Sequence, residues 1–174
     1  MLRVSILFYS RPVVSVDFNT IEQKAKQLLP PAKEAGQSLQ LICDLLCEQV
    51  PYYDWTGFYF AVPDKRILVL GPFCGEPTEH TQIPYGRGIC GQSAESLETF
   101  VVPDVSVARN YLSCSVKTKA EIVVPVFLNG SFVAEIDIDS HTREPFGPED
   151  EPFLRRIAEL VAPHIPSVFD PSQF

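Results

Sequence analysis

Apolar and polar positions along the chain divide it into helix-patterned ends and a strand-patterned middle. Thr20 and Gln23 read as a capping box, with Ile21, Ala25, Leu28 and Leu29 at helical spacing behind it, until Pro30–Pro31 breaks the pattern. A second helix is predicted from near Ser38, where Leu39, Ile42, Cys43, Leu46 and Val50 recur on one face and Pro51 ends the run. Aromatic and β-branched residues then predict strands at Trp55–Val62, at Arg66–Phe73 after the turn Pro63–Asp64, and at Thr99–Val102 before Pro103. Glu121–Leu128 and Ser131–Asp139 flank Asn129–Gly130, a hairpin signal because both central residues tolerate positive φ. A last helix is predicted from Pro148–Glu151, acidic in its first turn, with Phe153, Ile157, Leu160 and Val161 as its stripe and Pro163 and Pro166 as its stop. This order predicts an α+β architecture, a mostly antiparallel sheet with helices packed on one face. Cys74–Gln92 and Asp104–Ala120 fit no regular element; connections of that length in a small domain are usually functional, and each contains a cysteine.

The last strand narrows the search for chemistry. Glu135, Asp137 and Asp139 alternate with Ile136 and Ile138, which puts three carboxylates on one face. Alternating acids usually face solvent. The partner strand is nearly all apolar, however, so the hairpin reads as covered on both faces, and buried carboxylates need a cation, a metal or hydrogen-bond donors. Cys114 lies near Lys117 and Lys119, cations of the kind that favour a thiolate. Cys90 lies among Gly86, Gly88 and Gly91, which imply tight turns or close backbone approach. Cys43 and Cys47 fit a helix's apolar face as small buried side chains. Trp55, Gly57 and Tyr59 share one face of the first strand, where aromatics around a small residue can wall a pocket.

Composition excludes several function classes. With 14 Lys+Arg against 22 Asp+Glu and a formal net charge of −8, neither nucleic acid nor an anionic membrane surface is an expected partner. No apolar run is long enough to span a bilayer, and Val4–Tyr9, with Arg11 close behind it, is too short for a signal sequence. Five widely spaced cysteines with no CxxC, and three histidines without ligand spacing, predict reduced thiols in the cytoplasm and no metal or bound cofactor. The expected organisation is an extension over residues 1–17, poorly ordered or an edge strand, one domain over 18–166 and a tail over 167–174.

Six stretches together resemble a known family: Trp55–Phe60, Leu68–Phe73, Ile83–Gly91, Val101–Val105, Glu121–Pro125 and Asp137–Ser140. In this order and spacing they resemble the GAF-domain free methionine-(R)-sulfoxide reductases. The resemblance implies a GAF fold, with a ligand pocket on the sheet face opposite the helices, and thiol-dependent reduction of free methionine-(R)-sulfoxide. It implies Cys114 as nucleophile and Cys90 as a second cysteine. Glu121, Asp137 and Asp139 would be the acidic ligand-binding residues, and Trp55 and Tyr59 the aromatics around the sulfoxide methyl group. It also implies a thioredoxin-type reductant and a homodimer. The alternative is a non-catalytic or divergent GAF module that binds a small amino-acid-like ligand.

Three departures from the family's pattern bear on the chemistry. The family's usual resolving cysteine, about ten residues before Cys90, is missing from Glu76–Thr81, which leaves Cys74 or Cys90 for that part. The segment at Cys114 reads Asn110–Tyr111–Leu112–Ser113–Cys114–Ser115, and Glu135 stands where the family generally has an apolar residue. Register raises a further point. A two-residue Asn129–Gly130 loop pairs Leu128 with Ser131 and hence Ile122 with Asp137, which turns Glu121 away from the acid face. Gathering Glu121 with Asp137 needs a bulge or a different loop length, and Pro125, which cannot donate a ladder hydrogen bond, predicts a bulge nearby.

Overall fold

In a computed structural model, residues 16–29, 37–108, 110, 112 and 115–174 are described. Their elements are α1 (Phe18–Leu28), α2 (Ser38–Gln49), β1 (Trp55–Val62), β2 (Ile67–Cys74), β3 (Gln82–Pro84), α3 (Gly88–Ser96), β4 (Phe100–Val102), β5 (Ala120–Leu128), β6 (Ser131–Ser140), α4 (Asp150–Val161) and α5 (Ile165–Val168). The strands form one antiparallel sheet in the order β3-β2-β1-β6-β5-β4. Of the expected extension at residues 1–17, only Val16 and Asp17 lie within the described residues. No helix among the described residues is long and apolar enough to cross a membrane.

The expected layers are present. Ile21, Ala25, Leu39, Ile42, Leu46, Phe153, Leu154 and Ile157 from α1, α2 and α4 pack on Phe58, Phe60, Ile122, Val124, Ile136 and Ile138 of the central strands. These strand residues alternate with the polar and aromatic ones, so one face of the sheet carries the main core and the other is left for a site. Asn129 and Gly130 take φ of 51° and 82°, the left-handed pair that a tight hairpin needs.

Local differences from the sequence pattern have physical reasons. Helix α1 starts at Phe18, not at Thr20, because Asp17 is its N-cap: its Oδ1 accepts from the Thr20 amide at 3.0 Å and its Oδ2 from the Thr20 hydroxyl at 2.7 Å. Helix α4 stops at Val161, ahead of Pro163 as expected, and what the pattern does not show is that a 3₁₀ turn at Ala162–His164 and the four-residue α5 follow it. Pro163 and Pro166 stand early in these short turns, where a missing N–H costs nothing. Beyond α5, Phe169 stacks on Phe60 at 4.6 Å. The stretch Cys74–Gln92, read from sequence as irregular, contains β3 and the start of α3.

The first residue of α4 anchors the loop before β1. Buried Asp150 accepts from the hydroxyls of Tyr52 (3.0 Å) and Tyr53 (2.7 Å) and from the Gly147 amide (2.6 Å). Asp150→Ala strands two tyrosine hydroxyls and is expected to cost about 2–4 kcal/mol in urea unfolding. A loss within experimental error would show that this cluster does not hold α4 to the β1 approach.

Candidate active site

The face of the sheet away from the main core carries the acids. Along β6, Asp139 lies opposite Trp55 of β1, Asp137 opposite Gly57 and Glu135 opposite Tyr59. On the other side, β5 places Glu121 opposite Asp139, Val123 opposite Asp137 and Pro125 opposite Glu135. Glu121 reaches this face through the bulge expected from the sequence. Leu128 pairs with Ser131 and Phe127 with Phe132, but Val126 pairs with Ala134, so Val133 is the extra residue and every pair beyond it shifts by one. The bulge is one residue from Pro125, which has no amide to give to a ladder.

The acids do not face solvent: Glu135 and Asp137 are 0% exposed, Glu121 and Asp139 2%. Glu121 Oε2, both oxygens of Glu135, both of Asp137 and Asp139 Oδ1 are buried without a hydrogen-bond partner. No lysine or arginine among the described residues is buried with them. Burial pushes all four carboxyls up. Asp137 rises to about 7, and Glu121, Glu135 and Asp139 go well above their ordinary range, with Asp137 the chief neighbour adding repulsion to each. The face thus stores protons at neutral pH and presents acceptors to a guest that brings donors or positive charge.

Helix α3 covers the face with Cys90, whose thiol donates to Glu121 Oε1 at 3.7 Å. Sequence periodicity misses this helix because its glycines and serines are poor helix formers and its apolar stripe is thin. Tertiary packing explains the glycines. A Cβ on Gly91 would lie 2.4 Å from the Pro84 carbonyl oxygen, while Gly88, at φ 66°, would meet Leu112 Cβ at 2.8 Å.

Trp55 and Tyr59 form one wall. A Cβ on Gly57 would lie 2.2 Å from Trp55 Cη2, so the indole lies across the glycine, with Phe73 stacked on it at 5.5 Å between centroids. Trp55 Nε1 donates to the Glu76 carbonyl at 3.0 Å and the Tyr59 hydroxyl to the His80 carbonyl at 2.9 Å, which fastens the loop after β2 over the site. A narrow cleft reaches Asp139 between Trp55, Glu76, Ser115, Thr118 and His141; a second lies among Ile83, Arg87, Cys90, Leu112 and Glu121.

The structure therefore brings together Trp55, Tyr59, Cys90, Glu121, Asp137 and Asp139, with Glu135 beside them. Cys114 lies outside the described residues, though Leu112 and Ser115 on either side of it line the two clefts. Cys74 is elsewhere. It pairs with Thr56 and packs with the helix-side core, where Cys47 Sγ donates to its carbonyl at 3.6 Å. Of the two thiols that the sequence leaves for resolution, Cys90 is the one on the acid face.

The GAF domain model matches residues 34–165. The free methionine-R-sulfoxide reductase of Escherichia coli is 35% identical over 65% of this chain and 67% of its own length. Its type II counterpart from Thermoplasma acidophilum is 39% identical, with a TM-score of 0.73 over 80% of this chain and 98% of that one. The chain belongs to the GAF-domain free methionine-(R)-sulfoxide reductase family. The Neisseria meningitidis reductase, solved in complex with its substrate, superposes with a TM-score of 0.80 at 28% identity, over 87% of this chain and 89% of that one.

Two predictions test this geometry. Gly57→Val forces the indole off its seat and is expected to cost about 1–3 kcal/mol and to shift the emission of Trp55, the sole tryptophan. Unchanged emission would place the ring elsewhere. For Asp137 the sign follows from its raised value. Between the ordinary 3.8 and about 7 the unfolded chain is ionised while the fold keeps the proton, so stability falls as pH rises through that window. Asp137→Asn removes this loss. Its stability relative to the unsubstituted protein is expected to improve by about 2–4 kcal/mol from about pH 4 to about pH 8. A pH-independent difference in urea unfolding would refute the raised value.

Proposed function

We propose that this protein reduces free methionine-(R)-sulfoxide to methionine, with Cys114 as nucleophile and Cys90 as the resolving thiol. The observation that carries the reading is the row of buried, unpartnered carboxyl oxygens on Glu121, Asp137 and Asp139 beside the aromatic wall of Trp55 and Tyr59. A free amino acid brings an ammonium group for the acids and, as the sulfoxide, a polarised S–O bond with an adjacent methyl group for the aromatics. A carboxyl that holds its proton to about neutral pH also suits the task of protonating a departing oxygen.

The steps balance as follows. The Cys114 thiolate attacks the sulfoxide sulfur while a site carboxyl gives a proton to the oxygen. Methionine leaves as the thioether, and the oxygen stays on Cys114 as a sulfenic acid. The Cys90 thiol then attacks the Cys114 sulfur, expels water and forms a disulfide. A dithiol reductant of the thioredoxin type takes up that disulfide by exchange and returns both thiols. The family membership, the relatives that carry this name, and the placement of Leu112 and Ser115 at the clefts support the reading.

A coupled assay tests it. Thioredoxin, its reductase, NADPH and free methionine-(R)-sulfoxide are supplied to the wild type, to Cys114→Ser and to Cys90→Ser. The wild type is expected to consume NADPH. Cys114→Ser should be inactive, and Cys90→Ser should lose thioredoxin-supported turnover while still releasing about one methionine per chain. No turnover by folded wild type sinks the reaction; full turnover by Cys114→Ser moves the nucleophile elsewhere.

A further inference from the structure

The acid face has a second chemical capacity at its centre. Cys90 of α3, Glu121 of β5 and Asp137 of β6 are all buried, and each offers one ligand atom within 4.8 Å of the other two. The Cys90 Sγ to Glu121 Oε1 separation is 3.7 Å. In a tetrahedral zinc site, with Zn–S of about 2.3 Å and Zn–O of about 2.1 Å, sulfur and oxygen are about 3.6 Å apart. The pair already stands at that spacing. A separate observation points to a positively charged ligand: Glu135, 0% exposed and on the same face two residues from Asp137, has both oxygens buried without a hydrogen-bond partner. With no lysine or arginine buried among the described residues, nothing there neutralises these acids except protons.

We infer that Cys90, Glu121 and Asp137 form a binding site for one divalent cation of the zinc class, with Glu135 adding negative charge beside it. The donor set selects the ion. One sulfur with carboxylate oxygens suits zinc, whereas magnesium and calcium take all-oxygen shells. Binding releases the thiol proton and the protons on the ligating carboxyls to solvent, so the metal replaces protons in the same buried positions. Three protein ligands leave a fourth position open. Because Glu121 and Asp137 are the carboxyls assigned above to the substrate, zinc and methionine sulfoxide exclude one another, and zinc acts as a competitive inhibitor. This consequence rests on the proposed function; the metal site itself does not.

The test uses the full chain, reduced and stripped of metal with a chelator, then titrated calorimetrically with Zn²⁺ and spectroscopically with Co²⁺. The expected result is about one equivalent per chain, with a thiolate-to-cobalt charge-transfer band. Cys90→Ala is expected to remove that band, and Asp137→Asn or Glu121→Gln to weaken zinc by about 10-fold or more. The double variant Cys43→Ser, Cys47→Ser, whose thiols lie on the helix side, is expected to bind as wild type does. Circular dichroism reports whether each variant is folded. If one carboxyl variant does not fold, the other carries the comparison, and the wild-type cobalt band still reports thiolate ligation. No stoichiometric binding by wild type overturns the site, as does a band that persists in folded Cys90→Ala or vanishes in the helix-side double variant. Zinc binding that follows this pattern without displacement by methionine-(R)-sulfoxide keeps the metal site and overturns the shared carboxyls. Zinc binding together with an inactive wild type in the coupled assay removes the reaction alone.

Discussion

Four carboxyl groups buried on one face of a sheet, with no buried lysine or arginine among the described residues to neutralise them, are the constraint around which this domain is arranged. Each such group destabilises the fold by a few kcal/mol when ionised, and the fold responds by holding protons on them. The cost is met on the other side of the same strands. Ile136 and Ile138 alternate with the β6 acids, and Ile122 and Val124 follow Glu121; all four are fully buried against the helices. At about 2–3 kcal/mol for each buried aliphatic side chain, these four residues offset a cost of the same order as the acid row imposes. The same β-strand period that exposes the acids to the site therefore supplies the packing that tolerates them.

The bulge at Val133 decides whether the row is a site at all. Without it β5 and β6 would pair in the register that the Asn129–Gly130 turn dictates, Glu121 would point into the helix-side core, and Ile122 would replace it on the acid face. One inserted residue reverses that assignment for the whole of β5. It also decides what the Cys90 thiol meets, since in this register the hydrogen bond from α3 runs to Glu121.

Much of this could be read from sequence because the informative signals are local. The alternation of Glu135, Asp137 and Asp139 gave the face, Asn129–Gly130 gave the turn, and the conflict between that turn and a gathered Glu121 called for the bulge. What could not be read depends on contacts distant in sequence. Helix α3 is written in glycines and serines, whose presence is explained by the Pro84 carbonyl and Leu112 rather than by any helical period. Asp17 does not stand out as a cap in the sequence because Thr20 and Gln23 match the capping-box pattern three residues on. Spacing along the chain does not show that Cys90, Glu121 and Asp137 meet, because they come from three elements and only the fold sets them together. Nor does spacing tell which of Cys74 and Cys90 shares a face with the acids; the strand pairing does so, by turning Cys74 toward α2.

Proton accounting links the site's two proposed guests. An ammonium group supplies one positive charge, enough to let one of the clustered carboxyls ionise while the others remain acids and go on repelling any further ionisation. That is the useful state for a reaction that must deliver a proton to a sulfoxide oxygen: the substrate's own charge settles one carboxyl and leaves a neighbour protonated. A divalent cation held by Cys90, Glu121 and Asp137 draws off the thiol proton and the protons of those two carboxyls, and so occupies the groups that the substrate would engage. On these two proposals the same row of acids is productive with a monovalent guest and blocked by a divalent one, and the difference lies in charge rather than in shape.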